Sequence, residues 1–140
     1  MPPLISESDL ARACTGLLQL DGWRALKTDP VSRREWAKGF GERGMADYLY
    51  LRYPEPVAKP GTLAYIFRDG AQAAFCEAMW IEFKIPKGRV APHQHQWRER
   101  ERARGALALI AGVDFHASIE GFMKFYANSG LMRKRLELKK

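Results

Sequence analysis

Asp47, Glu82 and Lys84 are the residues of this chain whose types and spacing invite chemistry. Glu82 and Lys84 lie two apart in "WIEFKIP" (80–86), so on an extended segment they share one face amid otherwise apolar neighbours. A half-buried charged pair costs free energy unless each member finds a partner. Asp47 stands thirty-five residues earlier, in "GMADYLYL" (44–51), at the start of another alternating segment. Two carboxylates forced together repel, and the pKa of one rises unless a cation intervenes. Hard oxygen ligands with room for water suit magnesium or manganese. A nearby lysine can orient a water, or help deprotonate it. Together these groups would equip metal-assisted phosphodiester hydrolysis. The plainer alternative is a surface ion pair between Glu82 and Lys84, with Asp47 capping a turn. An isolated Glu-x-Lys is too common to decide between them.

The elements that must position these groups read as an α/β order, α-β-β-β-α-β-α. Ser6 is a good N-cap, and Leu10, Ala13, Cys14, Leu17 and Leu18 repeat at helical spacing until Asp21-Gly22. "ADYLYLRY" (46–53) and "TLAYIF" (62–67) read as strands and "WRALK" (23–27) as at most a short one outside that order, with a loop over 28–44. Met79 to Ile85 should be a strand with Ile81, Phe83 and Ile85 on one side and Trp80, Glu82 and Lys84 on the other. Pro92 opens a helix running to about Arg104, closed by Gly105. "ALALIAG" (106–112) is a short buried strand, and Ser118 caps a last helix ending near Gly130. One domain is expected over 1–130, followed by a basic tail over 131–140.

Composition narrows the partners. With 140 residues and 46% hydrophobic content, the chain is long enough for a core, and its net charge of +7 favours polyanions. Four of those charges sit in "LMRKRLELKK" (131–140). Cys14 and Cys76 lie in apolar surroundings without paired spacing, which predicts buried thiols in a reducing compartment rather than a zinc site. No apolar run has the length of a membrane span and "MPPLISESD" lacks a signal-peptide pattern, so a cytoplasmic protein is expected.

Three segments, "GMADYLYL", "WIEFKIPKGRVAPHQHQW" and "RARGALALIAG", carry a resemblance in their order and spacing. Gly44 and Asp47, then Glu82 and Lys84, Gly88, then Pro92, Gln94 and Trp97, and finally Gly105 together resemble the VRR-NUC family, a branch of the PD-(D/E)xK nuclease superfamily. The match covers 44 to about 112. It departs from the pattern at Ala46, which stands at the first position of the "PD" pair. The resemblance implies a restriction-endonuclease-like core, a mixed β-sheet flanked by helices. It also implies that Asp47, Glu82 and the main-chain carbonyl of Phe83 bind Mg2+ or Mn2+, with Lys84 catalytic and Gln94 orienting the site. Glu7 is the candidate for the glutamate that superfamily members often add from the first helix. The implied activity is hydrolysis of DNA to a 5′-phosphate and a 3′-hydroxyl. Branched, flapped or junction DNA is the expected substrate, in phage or bacterial replication, repair or recombination, with a homodimer setting two sites on two strands.

Cations near these motifs are candidates for phosphate contact: Arg43, Lys87, Arg89 and Arg98. "RERERAR" (98–104) also reads as a solvated helix face with local ion pairs. Trp36, amid Arg33, Arg34, Lys38 and Arg43, is either a groove residue or a loop anchor. His93 and His95 alternate on a helix and so face different ways, which argues against a metal pair. Trp97, one turn beyond Gln94, is expected in the core. The competing function is a non-catalytic nucleic-acid-binding domain that keeps the nuclease fold and binds without metal.

Overall fold

Helix α1 (Glu7–Leu20) begins where the Ser6 hydroxyl accepts the Asp9 main-chain N–H at 3.1 Å, satisfying one free donor of the first turn. The computed structural model to which it belongs describes residues 6–28, 42–53 and 76–135. Four strands follow: β1 (Trp23–Lys27), β2 (Tyr48–Arg52), β3 (Glu77–Glu82) and β4 (Leu107–Ile110), hydrogen-bonded in that order. β1, β2 and β3 are antiparallel, whereas β4 runs parallel to β3. A parallel neighbour needs a crossover, and α2 (Pro92–Ala103) makes it. Helix α3 (Ile119–Asn128) starts at Ser118, whose hydroxyl accepts the Gly121 N–H. Among the described residues this is a mixed α/β fold of three helices and one mixed sheet. No described helix is long and apolar enough to cross a membrane.

The strand period of two divides the sheet into two faces. One face sends Trp23, Tyr50, Met79, Ile81 and Leu109 into the main core with α1 and α3. Each such side chain taken wholly out of water adds roughly 1.5–3 kcal/mol. The opposite face carries a smaller cluster in which Trp97 of α2 meets Trp80 edge-on at 5.2 Å, beside Ala46 and Ala108. Trp97 is thus the core anchor anticipated from its position. Glu82 lies on this second face, under the start of α2.

The β3 ladder stops at Glu82, earlier than the expected Ile85. Ile85 is exposed, and its carbonyl accepts the Gly88 N–H in a turn instead of facing the core with Ile81 and Phe83. The stop follows from the partner strands, because β2 begins opposite Ile81 and β4 ends opposite Glu82, and Pro86 bars any later resumption at its own position. Cys14 is buried as expected, and burial pushes its thiol up to about 12. Cys76 is exposed at the entry to β3, contrary to expectation. The strand expected at 62–67 lies outside the described residues.

Part of the expected tail belongs to the fold. The buried Asp21 carboxylate accepts the main-chain N–H of Arg133 at 3.0 Å and of Lys134 at 2.7 Å, together with the Tyr126 hydroxyl. Arg52 reaches the same carboxylate at 3.1 Å, grips Glu77 through two nitrogens, and stacks 4.5 Å from the Trp23 ring centroid. Burial alone would raise the Asp21 pKa, but these donors hold it below the usual carboxylate range. Residues 131–134 are therefore pinned at the sheet end where β1 starts.

Candidate active site

At the other end of the sheet, three elements converge on the Glu82 carboxylate. Its Oε2 accepts the Asp47 main-chain N–H at 3.0 Å. Its Oε1 accepts Gln94 Nε2 at 3.0 Å and lies 3.4 Å from Lys84 Nζ. Glu82 and Lys84 share a face because they are two apart at the end of β3. Gln94 arrives from the first turn of α2, where its Oε1 accepts the Ala91 N–H at 2.9 Å and locks the side chain toward the sheet. Phe83 is the first residue past the ladder, its ring packed edge-on against Tyr48 at 5.4 Å.

The segment carrying Asp47 is held from two sides. Just past β1, the Thr28 N–H donates to the Asp47 carbonyl at 2.7 Å and the Thr28 hydroxyl to the Ala46 carbonyl at 2.6 Å. From α2, Gly44 lies so close to the His93 carbonyl that an added Cβ would sit 2.1 Å from its oxygen. Gly44 also has φ +86°, a conformation that disfavours any side chain. Glycine at this position thus meets two demands at once, and only the contact with α2 reveals the second.

Glu82 is 4% exposed, so its charge is poorly hydrated. Burial first, and then the negative charge of Asp47, push its carboxyl up to about 7 despite the opposing pull of Lys84 and the Asp47 N–H. Asp47 itself is half-buried, and among the described residues none donates a hydrogen bond to its carboxylate. Glu82 accepts two hydrogen bonds beside the lysine contact, and an ionised carboxylate offers about four lone-pair sites. Carboxylate oxygens with unfilled lone pairs are donors of the kind a small divalent cation accepts.

The structure thus brings together Asp47, Glu82, Lys84 and Gln94, with Phe83 adjoining. Glu7 does not join them. It is exposed in the first turn of α1, and among the described residues no three His, Cys, Asp or Glu side chains are grouped closely enough to hold one ion. Arg98 is a correction as well. Its guanidinium is buried and bound to the Asp114 carboxylate, with Nε to Oδ2 at 2.8 Å, and to Glu99, so it does not face a phosphate. Asp114 also takes Arg102 at 3.1 Å and the Ile110 N–H at 2.7 Å, which ties α2 to the end of β4. Arg43, Lys87 and Arg89 are exposed on the two loops flanking the site. Trp36, Arg33, Arg34 and Lys38 lie outside the described residues.

Two participants escaped the sequence reading. Asp114 sits in a turn after Gly112 with no motif to mark it as the partner of Arg98. Glu42 accepts the Trp97 indole N–H at 2.8 Å, a pairing across fifty-five residues that no local pattern signals. No family model, curated protein or solved structure matches this chain.

Proposed function

We propose that the protein is a magnesium-dependent DNA nuclease with a restriction-endonuclease-like core, selective for branched or partly single-stranded DNA. The observation that carries this reading is the convergence on Glu82: a second carboxylate's segment, a lysine and a helix-borne glutamine meet one buried carboxylate at one sheet end. A structural ion pair would need Lys84 alone, and would give neither the Asp47 segment nor Gln94 a reason to meet the same carboxylate.

The Asp47 and Glu82 carboxylates, with the Phe83 carbonyl, would hold the ion. A bound Mg2+ or Mn2+ would supply charge neutralisation and Lewis-acid polarisation at the scissile phosphate. Gln94 fixes the Glu82 carboxylate, so the ligand geometry is set before substrate arrives. Lys84 orients the attacking water for in-line displacement and adds positive charge where the phosphate gains negative charge. Exposed Arg43, Lys87 and Arg89 attract the phosphate backbone, a contact that positions DNA without reading bases. The reading extends to a cytoplasmic phage or bacterial enzyme in replication, repair or recombination, acting as a homodimer so that two strands meet two sites.

The test is a panel of labelled linear, nicked, flapped, forked and four-way DNAs with and without Mg2+. Cleavage should require the metal and favour branched forms. Lys84→Ala should abolish cleavage while leaving DNA affinity and the unfolding midpoint largely unchanged. Parental cleavage by Lys84→Ala would refute the assignment. DNA binding without cleavage, indifferent to metal, would instead identify a non-catalytic binding domain.

A further inference from the structure

We infer that Glu42 is a positioning residue of the metal site, holding Asp47 in register with Glu82 by latching its loop to helix α2. The inference rests on the metal-dependent reading of Asp47 and Glu82 and adds to it a residue outside their cluster.

The argument starts from what α2 controls. Its first turn places Gln94 on Glu82. One turn later, Trp97 is 4% exposed, so its indole N–H would lack water as a partner, and the Glu42 carboxylate supplies one at 2.8 Å. Glu42 opens a tight turn in which its carbonyl accepts the Met45 N–H at 3.1 Å. Gly44 then approaches the His93 carbonyl too closely for any Cβ, Ala46 is buried in the cluster around Trp97, and Asp47 donates its N–H to Glu82. The same helix therefore orients one carboxylate through Gln94 and the segment bearing the other through Trp97 and Glu42. Without the latch, that segment keeps its tie to β1 through Thr28 but loses its hydrogen bond to α2. Glu42 is not itself grouped with Asp47 and Glu82 as a third ligand. Its action runs through geometry.

The test uses the full chain and Mn2+ alone, with bound metal read by electron paramagnetic resonance and folding checked by circular dichroism. Glu42→Ala should weaken Mn2+ binding by about tenfold, the lower end of the loss seen when the groups that orient metal ligands are removed, because Glu42 acts one step further out. Glu42→Gln, which still accepts the indole N–H, should bind within about threefold of the parent. Trp97→Phe, which keeps a ring and loses the donor, should match Glu42→Ala. The double variant should be no weaker than the weaker single one, because both remove one interaction. A Glu42→Gln loss as large as that of Glu42→Ala would make the charge, not the hydrogen bond, responsible and would overturn the inference. So would parental Mn2+ affinity in folded Glu42→Ala. If Glu42→Ala does not fold, parental affinity in folded Trp97→Phe is equally decisive. A parent that binds no Mn2+ sinks the metal reading and the latch together, whereas a parent that binds it beside indifferent variants sinks the latch alone.

Discussion

Replacing Gly44 by alanine separates two costs that a glycine can hide. At φ +86° an L-residue is strained, by about 1–2 kcal/mol. The new Cβ would also lie 2.1 Å from the His93 carbonyl oxygen, where ordinary contact begins near 3.4 Å, so the loop must retreat from α2 by about 1 Å or more. Relief of such overpacking adds about 1–3 kcal/mol. Gly105 provides the control. Its φ is +91°, yet an added Cβ meets nothing within 4 Å, so Gly105→Ala should show the conformational cost alone. Urea unfolding should therefore rank Gly44→Ala below Gly105→Ala by about 1–3 kcal/mol. Metal-dependent cleavage should diverge further, because a displacement of about 1 Å at reacting groups can cost on the order of a hundredfold. Asp47 is three residues from the displaced position and hydrogen-bonded to Glu82. Equal destabilisation by the two variants, with equal cleavage, would refute the close approach and the role assigned to it.

Other outcomes follow from the buried charges. Burial and Asp47 raise the Glu82 pKa to about 7, so the folded chain keeps a proton that the unfolded chain loses near 4.5. Its contribution to stability is full below the lower value and lost as pH rises through the upper one. In the presence of a chelator, stability should fall more steeply between those values for the parent than for Glu82→Gln, and identical slopes in urea titrations would contradict the shift. Asp21→Ala should destabilise by about 3 kcal/mol, since Arg52 loses a buried partner and the Arg133 and Lys134 N–H groups are released. Limited proteolysis should then cut the C-terminal segment faster, and parental resistance would count against the clamp. Arg98→Ala should destabilise by about 3 kcal/mol through Asp114 while leaving the salt dependence of DNA binding unchanged. Arg89→Ala should instead lower the slope of log affinity against log salt by about one, and the reverse pattern would return Arg98 to the DNA surface.

Local chemistry made much of the fold legible. Ser6 and Ser118 cap helices because a hydroxyl satisfies a free N–H wherever a helix starts, and the alternation of Met79 to Phe83 assigns each side chain to a face. Glu82 and Lys84 are paired by that same alternation. These are short-range consequences of backbone periodicity, so residue order alone determines them. The partners of Arg98, Trp97 and Arg52 are different. Asp114, Glu42 and Asp21 lie sixteen, fifty-five and thirty-one residues away from them. Nothing in "RERERAR" distinguishes the arginine that turns inward from those that face solvent. Register and the α2 crossover make that choice, since they bring Asp114 against Arg98 and leave Glu7 exposed and ungrouped with the carboxylates it was expected to join. Side-chain type proposes which groups can act, and long-range packing, which no local spacing encodes, decides which of them meet.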